Sequence, residues 1–111
     1  MAQKDNQYIK LSLLERVLLP SILKSENEYK TLKIYKSIRE KCAVSAQEIK
    51  DYQIESKKDG SVSWNKKGAD KLFDMNFNEF EKLEIKLALK ELDEQKKLHI
   101  DLVSLYEKFV F

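Results

Sequence analysis

The sequence predicts a mainly α-helical single domain over residues 1–111. It has four to five helices, one small antiparallel β-hairpin at about residues 52–65, and a C-terminal antiparallel helix pair. Three observations predict this. Capping sequences of the form Ser/Asn-x-x-Glu recur ahead of apolar residues spaced for a helical face. Only two Gly and one Pro interrupt the chain, so few positions force a break. One stretch, Val44 to Asn65, alternates with period two and is the part that reads as strand. With 42% hydrophobic and 36% charged residues, the composition is that of a charged globular domain large enough to bury a core.

Residues 1–8, MAQKDNQY, carry no period and are expected to form a flexible arm. Ser12-Leu13-Leu14-Glu15 is a capping box and should open the first helix, with Leu13, Leu14, Val17 and Leu18 as its apolar stripe. Pro20 should break that helix, because proline lacks the amide donor and disfavours helical backbone at Leu19. A second box, Ser25 to Glu28, predicts the longest helix of the first half, ending near Lys41 to Ala43. Leu32, Ile34, Tyr35, Ile38 and Cys42 form its core face. Its other face is rich in lysine, with Glu26–Lys30 and Lys36–Glu40 spaced for ion pairs.

The third box, Ser45 to Glu48, is reinforced by Val44 and Ile49 as a hydrophobic staple and predicts a short helix from Ala46 to about Asp51. Beyond it, Tyr52 to Ser56 and Ser61 to Asn65 alternate around Lys57-Lys58-Asp59-Gly60. A three-residue loop with Gly60 left-handed pairs Ile54 with Trp64 and Ser56 with Val62, which places Ile54, Val62 and Trp64 on one buried face. A two-residue loop would split them. The stretch is therefore expected to join the two helical halves. Asn65 to Asp70 reads as a turn, with room for one helical turn capped by Asn65, and Leu72, Phe73, Met75 and Phe77 as a short extended apolar run. Asn78 to Glu81 caps a helix with Phe80 at its entrance and Leu83, Ile85, Ala88, Leu89 and Leu92 facing inward. That helix should fray near Glu94 to Lys97. His99 then starts a last helix, about Ile100 to Phe109, burying Leu102, Val103, Leu105, Tyr106 and Phe109.

Four stretches, LLERVLLPSIL, YKTLKIYKSIREKCAVSAQEI, VSWN and IKLALKELDEQKKLHIDLVSLYEKF, together resemble a group of small helical proteins encoded by bacteriophages and prophages. The likeness covers most of the chain. Members of that group are described as uncharacterised, so the resemblance implies a phage or prophage setting and brings no catalytic residues with it. SENEY stands here where a glycine-containing turn would be expected, and His99 where a Thr or Ser cap is more usual.

The residues point away from chemistry. Gly60 and Gly68 are too few and too far apart for a phosphate-cradling loop. One Cys and one His make neither a disulfide nor a classical zinc site, and nothing in the spacing pairs Cys42 with His99 as a catalytic dyad. The expectations are no enzyme activity, no catalytic, cofactor or metal-binding residues, no small-molecule substrate and no membrane span. A cytoplasmic location in a bacterial host follows if the phage likeness holds. The leading function is a non-enzymatic accessory protein that binds another protein or itself, with Phe109 and Phe111 as candidate anchors. The alternative is a DNA-binding protein of winged helix-turn-helix-like topology over residues 12–65, with Lys57, Lys58, Lys66 and Lys67 as candidate phosphate contacts. Charge is divided along the chain. Residues 1–73 hold 15 Lys plus Arg against 10 Asp plus Glu, a net +5, and residues 74–111 hold 6 against 9, a net −3. Such a split can orient one copy against another.

Overall fold

A computed structural model describes residues 8–111 and gives a mainly helical architecture. The predicted arm falls, apart from exposed Tyr8, outside the described residues. The chain enters in strand β1 (Ile9–Ser12) and turns at Ser12 into helix α1 (Leu13–Leu18), which passes at Pro20 into a 3-10 turn over Leu19–Ile22. Helix α2 (Tyr29–Cys42) and helix α3 (Ala46–Tyr52) follow. The hairpin is strands β2 (Glu55–Ser56) and β3 (Val62–Ser63). Helix α4 (Lys66–Asp70), strand β4 (Leu72–Met75) and the long helix α5 (Glu79–Glu94) come next. A 3-10 turn over Ile100–Leu102 leads into helix α6 (Val103–Phe109).

The caps work as read, with one exception. Ser12, Ser45 and Asn78 each accept the amide of a glutamate three residues on, and each glutamate reaches back to the cap amide. Asn65 caps α4 in the simpler way, and His99 accepts the Asp101 amide at the start of the last turn. Ser25, by contrast, caps nothing. Helix α2 begins four residues later with Glu28 at its cap, and the segment between bends at Ser25 and Asn27 without regular structure. Just ahead of it Arg39 donates to the Leu23 carbonyl at 3.0 Å and Lys24 reaches Glu91 at 2.8 Å, and these contacts fix where the segment starts.

The two halves are joined by a sheet that the sequence did not announce. β1 pairs antiparallel with β4, Ile9 opposite Met75 and Leu11 opposite Phe73. Alternation then sends these four apolar side chains to the core side, while Lys10 and Asp74 pair on the outer side at 2.7 Å. Around this seam lies the core: Leu11, Leu19, Tyr35, Ile38, Phe77, Ile85, Leu89 and Leu105, with buried Leu23, Cys42, Met75 and Leu102. The expected junction at β2–β3 is corrected accordingly. Its register is the one predicted, Ser56 opposite Val62, with a three-residue loop and Gly60 at φ +89°. But Ile54, Val62 and Trp64 are only half-buried, and none belongs to the core. The hairpin is tied locally instead, through the Asn65 amide to the Tyr52 carbonyl at 2.8 Å.

Three buried or half-buried glutamates fasten the elements. Glu15 Oε1 accepts both the Ser12 amide (2.8 Å) and Lys108 Nζ of α6 (2.6 Å), and Oε2 takes the Ser104 hydroxyl. Glu48 holds the Ser45 amide and binds the buried Arg16 of α1 with both oxygens. Arg16 also donates to the carbonyls of Cys42 and Ala43 and lies 4.6 Å over the Phe73 ring, so α1 grips the α2–α3 turn. Glu81 holds the Asn78 amide, Lys41 Nζ at 2.6 Å and the Ser37 hydroxyl, joining α5 to α2. Thus each capping glutamate is also a tertiary contact.

Candidate functional site

Helices α2 and α5 lie side by side and run in opposite directions. Ser37 and Lys41, late in α2, meet Glu81 at the start of α5, and Lys24, just ahead of α2, meets Glu91 near the end of α5. Between them is a groove of about 360 Å³ lined by Lys30, Lys33, Ile34, Ser37, Asn78, Phe80 and Glu81. Phe80 also starts a stripe on the outer face of α5, where Phe80, Leu83 and Leu87 follow an i, i+3, i+7 spacing and are 69%, 50% and 50% exposed. Ile85 and Leu89, on the other side of the same helix, are completely buried. Helix α5 thus carries two apolar stripes, and the core covers one.

The inward assignment of Leu83 is corrected on this ground. The sequence reading puts Phe80 at the helix entrance and gives Leu87 no side. The signal was nevertheless present. Seven apolar residues between Phe80 and Leu92 are too many for one helical face, and a second stripe at 80, 83 and 87 is what remains once 85, 88, 89 and 92 are taken inward. On the C-terminal helix Val103 is likewise more exposed than expected, at 39%.

The charged groups around the groove are of two kinds. Glu81, at its floor and 1% exposed, has both oxygens occupied. Burial would raise its pKa, but the bonds from Lys41, Ser37 and the Asn78 amide outweigh that and hold it below the usual glutamate value. It is a structural anion with no proton to exchange near neutrality. Lys30, Lys33 and Lys36 on the outer side of α2 make no ion pair among the described residues, so neither the Glu26–Lys30 nor the Lys36–Glu40 pair read from the spacing is formed. Lys33 instead stands 5.8 Å over the ring of exposed Tyr29.

The residues proposed from sequence do not gather at this groove. Lys57 and Lys58 are exposed at the β2–β3 loop, and Lys66 and Lys67 are exposed on α4, where Lys66 pairs with Asp70 at 2.9 Å. Glu48 of α3, a residue that would oppose phosphate, is turned onto Arg16. Phe109 is half-buried and meets Phe77 edge-on at 5.8 Å, as part of the core's margin. Phe111 is 88% exposed and rests edge-on against Tyr106 at 5.7 Å. Burial pushes the Cys42 thiol up to about 11 despite the nearby Arg16, leaving it a buried apolar group with negligible thiolate. Among the described residues no cluster of three His, Cys, Asp or Glu could hold a metal ion, and no helix is long and apolar enough to cross a membrane.

No family model, no curated protein and no solved structure matches the chain.

Proposed function

We propose that the chain is a non-enzymatic accessory protein that acts by binding a protein through the outer face of α5 and the adjoining groove. The observation that carries this is the second apolar stripe, Phe80, Leu83 and Leu87, beside a groove whose other wall is lysine-bearing. Scattered exposed apolar residues such as Ile100 are ordinary, whereas three on one helical face beside a concavity have the form of an interface core with a polar rim. The phage or prophage setting, and with it the cytoplasm of a bacterial host, rests on the sequence likeness. Together these make the protein a small scaffold whose work is done by contact.

Site-directed photo-crosslinking in host cells tests the reading. A photoreactive residue at Leu83 is expected to give discrete protein adducts, and the same residue at Lys58 none. No adduct from position 83 sinks the proposal. Retention on random duplex DNA at about 50 mM salt, lost on replacing Lys57 and Lys58 with Ala, would move the function to the hairpin tip.

A further inference from the structure

Resting on that reading of the α2–α5 face, we infer that its occupant is a second copy of this chain, with α2 of each protomer lying over α5 of the other. The argument is charge complementarity within one face. The outer side of α2 offers Lys30, Lys33 and Lys36, none of them in an ion pair among the described residues. The outer side of α5 sets its apolar stripe among Glu84, Glu91 and Glu94 with one lysine, Lys90, so it is acidic on balance, as the lysines of α2 with the single Glu40 among them are basic on balance. Of the three α5 glutamates, Glu84 and Glu94 make no ion pair among the described residues, and Glu91 makes only the surface pair with Lys24. A partner that satisfies both halves at once needs an acidic apolar ridge beside a basic one, and α5 and α2 themselves are such a surface.

Symmetry makes the fit reciprocal. Because α2 and α5 are antiparallel, a two-fold axis running along them sets each α2 against the other copy's α5, again antiparallel, as in a four-helix bundle. Rotation about such an axis keeps every residue at its own height. Ser37 and Lys41 both meet Glu81, so in the antiparallel register Glu84 stands near the height of Lys36 and about one turn or less from Lys33, and these lysines come close to Glu84 of the second copy. The seam between them holds Phe80, Leu83 and Leu87 from both protomers with Tyr29 at its margin. That is roughly 400 Å² of apolar surface on each side, in the range of a single functional patch. With its charged rim, the contact reaches about 1,200 Å² in total, enough for a specific dimer of modest affinity.

Sedimentation velocity over a wide concentration range reads the result. The wild type should form dimers. Lys33→Glu alone and Glu84→Lys alone should each weaken association about tenfold, since each turns two attractive contacts into repulsive ones. An equimolar mixture of these two variants should recover wild-type association, because in the mixed dimer both contacts are again between opposite charges. Phe80, Leu83 and Leu87 are all exposed, so Leu87→Ser, which adds no charge, gives a second, charge-independent way to weaken the dimer. A wild type that stays monomeric while position 83 still crosslinks to a different protein overturns the second-copy inference and leaves the docking face standing. A monomer with no adduct from position 83 overturns both. Dimers indifferent to all three substitutions place the contact elsewhere and overturn the inference as well.

Discussion

Among its described residues the protein has two antiparallel two-stranded sheets of opposite character. β2–β3 is closed by a three-residue turn, was legible in full register from sequence, and lies half-exposed at the edge of the molecule. β1–β4 joins segments about sixty residues apart, was invisible as a pair, and carries Leu11 and Met75 into the core. The difference teaches that legibility and energetic weight are separate properties. A hairpin announces itself because turn chemistry and alternation are adjacent in the chain. A strand pair closed over a long loop leaves only two short runs, IKLS and LFDM, neither of which names its partner.

The comparison breaks most decisively at matched positions of the two sheets. Leu11→Ala should cost about 2–5 kcal/mol in chemical denaturation, since a completely buried side chain is removed from a packed seam. Val62→Ala on the hairpin should cost less than about 1 kcal/mol. Equal losses at the two sites would mean that the hairpin is as central as the joint.

Acid provides the next contrast. Burial raises the pKa of Glu15, but its bonds from Lys108, Ser104 and the Ser12 amide prevail. For Glu48 the bond from Arg16 leads and outweighs burial, and for Glu81 the bonds from Lys41 and Ser37 overcome burial in turn. All three folded values lie below the ordinary 4.5. Their stabilisation is therefore complete above about pH 4.5 and is lost as pH falls below it through the folded values. Thermal unfolding followed from pH 7 downward should show the stability falling on that limb, and Glu15→Gln should make the fall shallower. Asp59, lowered by its bonds to Ser61 at the exposed hairpin turn, belongs to the other region, and Asp59→Asn should leave the acid limb almost unchanged.

The two glycines give a finer cut. A Cβ at Gly68 would lie 2.9 Å from Tyr52 Cβ and 3.3 Å from Leu13, so Gly68→Ala forces α4 away from α3 and α1 at a cost of about 1–3 kcal/mol. Gly60 has open space around it and needs glycine only for its positive φ, so Gly60→Ala should cost about 1 kcal/mol. Denaturation midpoints of the two variants, with crowding set against backbone conformation alone, should fall in that order.

Helix starts were the most legible feature, because a cap and its glutamate are four consecutive residues. Ser12, Ser45 and Asn78 were readable, and Ser25 misled because the same four-residue pattern can fall in a bent linker whose start is fixed by remote contacts. The ends of interactions were not legible. Nothing near Glu81 names Lys41, and nothing near Glu48 names Arg16. The candidate face was legible only in part. The spacing alone reveals a second apolar stripe at 80, 83 and 87, and only the packed fold shows that nothing among the described residues covers Leu83 and Leu87.

The capping glutamates tie local order to long-range order. In each, one carboxylate oxygen accepts the local cap amide and a cation from a distant element at the same time. The cap favours the glutamate rotamer that the remote lysine or arginine also needs, so each bond aims the acceptor for the other. Ser12 and Lys108, which meet on one oxygen of the Glu15 carboxylate while Lys108 also holds the nearby Lys10 carbonyl, become energetically coupled across nearly the whole length of the chain.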